Sequence, residues 1–248
     1  MSERIRLLGL PLDTIDMDAA VAWIDQRLTN DKPAQIVTLN PEIAVRSRND
    51  ARLKRAIEAA ELVTPDGVGI LWAAKRLCGL ELADRVTGVD LTHEAFSRLG
   101  KELRVYFLGG QPGVAEQAAA NSHQRYGVTV AGFQHGYFND VQSVVAAVRE
   151  SGANLLLAGL GERQEVFLHE NKESLGVPVM IGVGGTLDVL AGKAKRMPAW
   201  SRRLRLEWLL RVGLDPRRWP RAWRLIKFST WVWQEKPGSC KTAKMELK

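Results

Sequence analysis

Four short segments of this 248-residue chain set polar residues or glycines where a strand-like run gives way to a helix-like one. The first is Thr38-Leu39-Asn40-Pro41-Glu42. Alternation along a strand puts Thr38 and Asn40 on one side, and a helix opening at Pro41 offers free N–H groups. The second, Thr64-Pro65-Asp66-Gly67-Val68-Gly69, brings a carboxylate to the same setting, with glycines that permit close backbone approach. Asp66 has two chemistries open to it there, general base or helix N-cap. The third, Phe107-Leu108-Gly109-Gly110-Gln111-Pro112-Gly113-Val114, is either a phosphate-cradling turn or a plain tight turn. It is neither a Walker loop, since Lys-Ser/Thr is missing, nor a full GxGxxG. The fourth comprises two turns, Gly159–Glu165 and Gly182–Asp188, in which Gly161, Gln164, Gly184 and Gly185 stand out. Asp188 can accept from ribose hydroxyls or cap a helix.

Other chemistries are poorly represented. His93, His123, His135 and His169 are scattered, and Cys78 and Cys240 lie far apart with no metal-ligand spacing. One cysteine falls in a predicted helix and the other in a polar terminus, which fits a reducing compartment. No carboxylate pair of the Asp-x-Asp kind follows these strands, and there is no Gly-x-Ser-x-Gly elbow. The expectation is no metal and no cofactor. Any bound phosphate then has to be neutralised by backbone N–H groups and arginines.

The elements that must position these residues alternate along the chain. Strands are predicted at Ile5–Leu10, Gln35–Leu39, Glu61–Thr64, Arg104–Leu108, Val128–Gly132, Asn154–Ala158 and Val179–Val183. Helices are predicted at Met17–Leu28, Glu42–Arg48, Ala51–Ala60, Gly67–Leu77, Asp90–Leu99, Val114–Arg125, Val141–Glu150 and Gln164–Ser174. Such alternation with short connections predicts an α/β fold, a Rossmann-like parallel sheet with helices on both faces. The core is expected over residues 1–192, as approximate lobes 1–101 and 102–192.

Beyond Gly192 the character changes. Between Lys193 and Lys236 there are 13 Lys/Arg and three Asp/Glu, whereas the whole chain carries +7. Six of the eight tryptophans lie there: Trp200, Trp208, Trp219, Trp223, Trp231 and Trp233. Two helices, Trp200–Val212 and Arg218–Trp233, are predicted, followed by a disordered end at 237–248. Cations and amphipathic rings suit an anionic membrane surface or a nucleic acid. No apolar run reaches the roughly 20 residues that span a bilayer, and Met1-Ser2-Glu3-Arg4 has no signal-peptide layout. The expected location is cytoplasmic, peripheral to the inner face of the membrane.

Taken together, the motifs resemble a known family. They are Thr38-x-Asn40-Pro41-Glu42, Pro65-Asp66-Gly67-x-Gly69, Arg85-Val86-Thr87-Gly88-Val89-Asp90 and Phe107-Leu108-Gly109-Gly110-x-Pro112-Gly113. Gly136-Tyr137-Phe138, Gly161-x-x-Gln164-Glu165, Gly182-Val183-Gly184-Gly185-x-x-Asp188, Arg196-x-Pro198 and Leu206-Glu207-Trp208-Leu209-x-Arg211 complete the set. Their order and spacing, from about residue 5 to residue 233, resemble the WecG/TagA/CpsF glycosyltransferases of bacterial envelope-polymer synthesis. That resemblance implies inverting, metal-independent transfer of an N-acetylhexosamine, typically N-acetylmannosamine, from a UDP-sugar. It implies as acceptor a polyprenyl-diphosphate-linked sugar, typically N-acetylglucosamine, and an active site in a cleft between α/β lobes.

Carried over by position, Asp66 matches the general base, Thr38 and Asn40 its pocket partners, and Gln164 a further active-site residue. Gly109, Gly110, Tyr137, Gly161, Gly184, Gly185 and Asp188 fall at the expected UDP-sugar contacts. This chain departs from the pattern at Glu162 and Arg163, where many relatives carry Pro and Lys. With a lipid acceptor implied, the tail is expected on the membrane, with Arg211, Arg218, Arg221 and Arg224 as lipid-diphosphate or membrane contacts. A nucleic-acid-binding protein finds no supporting signature. An NAD-dependent oxidoreductase lacks an acidic ribose-binding residue after Val128–Gly132. A homo-oligomer is compatible with the sequence, which does not fix the oligomeric state.

Overall fold

The apolar runs of the chain converge on one sheet. In the computed structural model, residues 3–30, 32–194 and 219–242 are described, with the backbone alone for 219–222 and 241–242. Strands β3 (Ala34–Leu39), β4 (Leu62–Pro65), β5 (Arg104–Gly109), β6 (Thr129–Gln134), β7 (Leu155–Gly159) and β8 (Val179–Gly182) lie in the order β4-β3-β8-β7-β5-β6. Every pairing among them is parallel. Such a sheet needs cover on both faces, so its inner strands are mostly apolar and buried on both sides rather than alternating. β3, for instance, is buried along its whole length.

Alternation sorts the strand residues between two helical layers. Leu155, Leu157, Val105 and Phe107 pack with α1 (Met17–Arg27), α5 (Gly88–Leu99), α6 (Val114–Tyr126) and α10 (Thr186–Leu190). Leu156, Ala158, Tyr106 and Leu108 face the other way, against α7 (Val141–Glu150), α8 (Gln164–Glu170) and α9 (Lys172–Leu175). That second face continues over β3 and β4 as α2 (Pro41–Ser47), α3 (Ala51–Glu58) and α4 (Val68–Cys78). Helices on both faces of a parallel sheet are as the sequence predicts. The halves 1–101 and 102–192 do not carry a sheet each, because β3 hydrogen-bonds to β8.

Three elements depart from expectation. The predicted strand Ile5–Leu10 is a hairpin, β1 (Arg4–Leu7) and β2 (Leu10–Asp13), paired antiparallel around Leu8 and Gly9. Both turn residues have positive φ, 53° and 79°, as a two-residue hairpin loop requires. The predicted helix Gln164–Ser174 breaks at Asn171 into α8 and α9. The end beyond residue 236 is not wholly without structure. Gly238 N donates to Leu77 O at 2.8 Å, and β9 (Lys241–Thr242) adds to β1.

The C-terminal helix α11 (Trp219–Gln234) lies on α2 and α4. Phe228 and Val232, four residues apart on one face, are 1% and 0% exposed within the same core as Leu39 and Ile70. Burying a phenylalanine of this kind stabilises by about 3 kcal/mol. Arg48 covers Trp231 at 4.6 Å and Arg76 covers Trp233 at 3.9 Å. Cys78 and Cys240 form a disulfide, with Cα atoms 5.0 Å apart and a sequence separation of 162. This corrects the reading of two unrelated cysteines: docking α11 on α4 brings them together. The predicted helix Trp200–Val212 lies outside the described residues.

Candidate active site

Parallel strands end at one edge of the sheet, and there the four sequence segments meet. Leu39 is opposite Pro65, Ile36 opposite Ile181, Ala158 opposite Gly182 and Gly109 opposite Gly159. The turns beginning at Asn40, Asp66, Gly110, Leu160 and Val183 therefore share the carboxyl edge. β5 and β7 are neighbours whose chains leave in opposite directions, β5 to β6 and β7 to β8. Such a switch point leaves a crevice above the strand ends, the usual ligand position in this class of sheet.

On one side stand β3 and β4. Thr38 is 5% exposed and pairs in register with Thr64. Asn40 caps α2, its Oδ1 accepting from Ile43 N at 3.0 Å, so its role at this edge is at least structural. Asp66 is half-buried and follows β4 directly, its N–H donating to Leu39 O at 2.8 Å. The N-cap position of α4 belongs to Gly67, at φ 96°, and not to Asp66. Gly69 has a separate reason to be small, since a Cβ there would stand 2.6 Å from Pro41 Cγ. The Arg85–Asp90 segment is stitched alongside: Val86 N donates to Pro65 O at 2.8 Å, and Thr64 Oγ1 to Val86 O at 2.9 Å. A Cβ on Gly88 would lie 3.6 Å from Thr38 Oγ1, so this segment walls the pocket of Thr38.

On the other side the glycines do the shaping. Gly109 has φ 137°, and a Cβ there would lie 2.3 Å from Gly159 O, which no other residue could accommodate. Gly110 N donates to Gly159 O at 3.2 Å and Gly136 N to Gly110 O at 2.9 Å, tying three strand ends together. Tyr137 is 63% exposed, its hydroxyl accepting from Gln111 Nε2 at 2.6 Å. Gly161 and Gly184 adopt φ values of 63° and 52°, and Gly185 is exposed before α10. Asp188 sits in the first turn of α10, half-buried. Gln164, 6% exposed, accepts from Gly184 N at 3.0 Å through Oε1.

Arg46 at this edge was not singled out by sequence, whereas Arg224, Glu162 and Arg163 were. Arg46 of α2 meets Glu162, donating to its carbonyl at 2.6 Å. Arg224 of α11 bridges Glu42 and Glu162, the latter at 2.6 Å. Burial works against the charge of Arg224, yet the two carboxylates outweigh it and hold the guanidinium above its usual range. Arg163 donates to Gly136 O and stacks on Phe138 at 5.0 Å. Glu162 and Arg163, the two departures from the family pattern, thus both serve as ties between loops. Arg211 and Arg218 lie outside the described residues, as does the side chain of Arg221.

Among the described residues no group of three His, Cys, Asp or Glu side chains is placed to hold a metal ion. The string Asp16-Met17-Asp18 has other partners: Asp16 caps α1 and Asp18 pairs with Arg98 at 2.7 Å. Nor does any helix among the described residues have the length and apolarity to cross a membrane. A separate cavity of about 600 Å³ between α5, α6 and α10, lined by His93, Ser122 and Arg125, contains none of the carboxyl-edge residues.

The chain was compared with known proteins. Residues 5–241 match the Glycosyl transferase WecG/TagA/CpsF family. One relative is 31% identical over 217 residues, covering 86% of this chain and 84% of its own length. It is the N-acetylglucosaminyldiphosphoundecaprenol N-acetyl-beta-D-mannosaminyltransferase of Bacillus spizizenii. With its parallel sheet, its glycine-shaped carboxyl edge and a match spanning nearly all its length, this chain belongs to the WecG/TagA/CpsF family of glycosyltransferases.

Proposed function

We propose that the protein transfers N-acetylmannosamine, or a closely related N-acetylhexosamine, from a UDP-sugar to N-acetylglucosamine on undecaprenyl diphosphate. The reading takes its transferred sugar and acceptor from the relative, its UDP donor from the family resemblance, and its mechanism from one observation. A half-buried carboxylate, Asp66, follows β4 beside Asn40, while the glycine turns occupy the same edge of the sheet. In this reading Asp66 takes the proton of the acceptor hydroxyl as that oxygen bonds to the sugar's C1. The bond from C1 to the UDP oxygen breaks from the opposite face, so configuration inverts and UDP leaves as the anion. Thr38 and Asn40 line the acceptor side. Gly109, Gly110, Tyr137, Gly161, Gln164, Gly184, Gly185 and Asp188 line the donor side.

The leaving diphosphate needs positive partners, and no metal ion is assigned to that task. α6 opens at Gly113 with no side-chain cap; Val114 N donates to Gln111 O at 2.9 Å, and the N–H groups of Ala115 and Glu116 follow it beyond β5. Arginines of the C-terminal segment, Arg211, Arg218, Arg221 and Arg224, meet the acceptor's own diphosphate at the membrane surface. Arg224 has to exchange Glu42 and Glu162 for it. Trp223 and Ile226, 59% and 52% exposed opposite Phe228 and Val232, supply an apolar contact for that surface. The enzyme then works from the cytoplasmic face of the membrane.

A panel of UDP-N-acetylhexosamines with undecaprenyl-diphosphate-linked N-acetylglucosamine, read by mass spectrometry, tests the reaction. Asp66→Asn is expected to lower kcat by about 10²–10⁴-fold with an unchanged melting curve. A variant rate within twofold of wild type removes Asp66 as base. A wild-type protein that consumes no UDP-sugar removes the reading itself.

A further inference from the structure

Beside Gln164 lies a carboxyl group that the reaction above does not use. Glu165, the second residue of α8, is 2% exposed, and no cation is within hydrogen-bonding distance of it among the described residues. Its Oε1 accepts from Gln164 Nε2 at 2.7 Å, while Oε2 has no hydrogen-bond partner among the described residues. Gln164 Oε1 in turn accepts from Gly184 N at 3.0 Å. The amide is therefore bonded at both ends, and its orientation is decided by these two partners. Gly182 adds a boundary: a Cβ there would stand 2.9 Å from Gln164 Nε2 and 3.1 Å from Glu165 Oε1. The backbone of Glu165 is itself fixed, since Gln35 Nε2 donates to its carbonyl at 3.0 Å.

We propose that Glu165 is a positioning residue of the donor site: its carboxyl fixes the amide of Gln164 and, through it, the Gly184 turn. The inference rests on the reading that Gln164 and Gly184 line the donor site. A charged carboxylate is costly in this setting, because burial removes its hydration and its hydrogen bonds come from the Gln164 amide and its own backbone N–H alone. Burial pushes the Glu165 carboxyl up from its ordinary range, the bond from Gln164 opposing this. The charged groups that bear on it from α2 have opposite signs, Arg46 and Glu42. On α3, packed against α8, Arg52 is paired with Glu170 at 2.6 Å. In the turn before α8, Glu162 is held by Arg46 and Arg224, and Arg163 donates to Gly136 O. Lys172, on α9, is paired with Glu61. Burial thus favours the neutral form of the carboxyl group, whose carbonyl oxygen still accepts from Gln164.

The test compares Glu165→Gln and Glu165→Ala with wild type in the transfer assay, across pH 6 to 9, and by NMR. Glu165→Gln keeps a neutral acceptor for Gln164. It is expected to hold kcat and KM within about threefold at pH 7, and to lose the alkaline decline that ionisation of Glu165 imposes on wild type. Glu165→Ala is expected to lower kcat at least tenfold and raise KM for the UDP-sugar while remaining folded. Wild-type kinetics in the Ala variant overturn the proposal, as does a Gln variant as impaired as Ala. Identical pH profiles for wild type and Glu165→Gln overturn the neutral state. If wild type transfers no sugar, the functional reading fails, yet the positioning can still be judged. Carboxyl ¹³C titration of Glu165 and the side-chain amide resonances of Gln164 then decide. A Glu165 midpoint in the ordinary range, or Gln164 resonances unchanged in Glu165→Ala, overturns it.

Discussion

Glu165 illustrates how little a residue's identity says about its protonation. In sequence it is an acid in the first turn of a helix, a position that favours the charged form through the helix dipole. The fold reverses that preference by burying it against β8. The consequence for stability has a definite sign. The folded state holds this proton more tightly than the unfolded chain, whose value is 4.5. Stability from this group is therefore fully present below about pH 4.5 and is lost as pH rises through the raised folded value. Urea unfolding between pH 4.5 and 9 is expected to show wild type losing stability relative to Glu165→Gln; parallel curves contradict this. The other site residues were more legible. Asp66 and Thr38 stand out as candidates because polar side chains at strand ends are conspicuous. The sequence left Asp66 open between base and helix N-cap, and only the backbone shows that Gly67 holds the N-cap position.

Helix α11 was visible as an element, Arg218–Trp233 expected against Trp219–Gln234 observed, but its docking was not. Its apolar residues alternate between Phe228 and Val232, which enter the core, and Trp223 and Ile226, which do not. The disulfide and β9 escaped notice for a related reason: both depend on where α11 packs, and β9 is two polar residues long. The hairpin at Leu8 and Gly9 was hidden because a leucine occupies a turn position with positive φ, making β1 and β2 read as one apolar run. The Cys78–Cys240 link closes a long loop, and the chain-entropy effect of such a loop is at most about 5 kcal/mol. Cys78→Ser is expected to lower the melting temperature under oxidising conditions, and reductant is expected to lower wild type to the same value. A wild-type melting temperature indifferent to reductant would show the bond to contribute nothing.

For the whole molecule, the class of fold followed from alternation, whereas the order of strands did not. Nothing local tells β3 to pair with β8 rather than with β5, because the inner strands share one predominantly apolar, buried pattern. The carboxyl-edge site was thus legible as separate fragments, and only the sheet order made them one crevice. The N-terminal hairpin is tied to that sheet by Asp13, 3% exposed, which accepts from Arg4 Nε at 2.8 Å, Arg4 Nη2 at 2.7 Å and Val63 N at 2.7 Å. The bond to Asp13 raises the Arg4 guanidinium further. Asp13→Ala takes the carboxylate from the half-buried Arg4, leaving it only the carbonyls of Ala60 and Glu61, and leaves the buried Val63 N–H unanswered; it is expected to cost about 3–5 kcal/mol in urea unfolding. A loss below about 1 kcal/mol contradicts this. The β3–β8 pairing also bears on the protein's birth. Ala34 waits for Val179, about 145 residues later. At ribosomal speeds of roughly 5–20 residues per second, one edge of β3 stays unsatisfied for about 7–30 s. The nascent chain therefore carries an open apolar strand edge through most of its synthesis, the stage at which a chaperone has most to offer it.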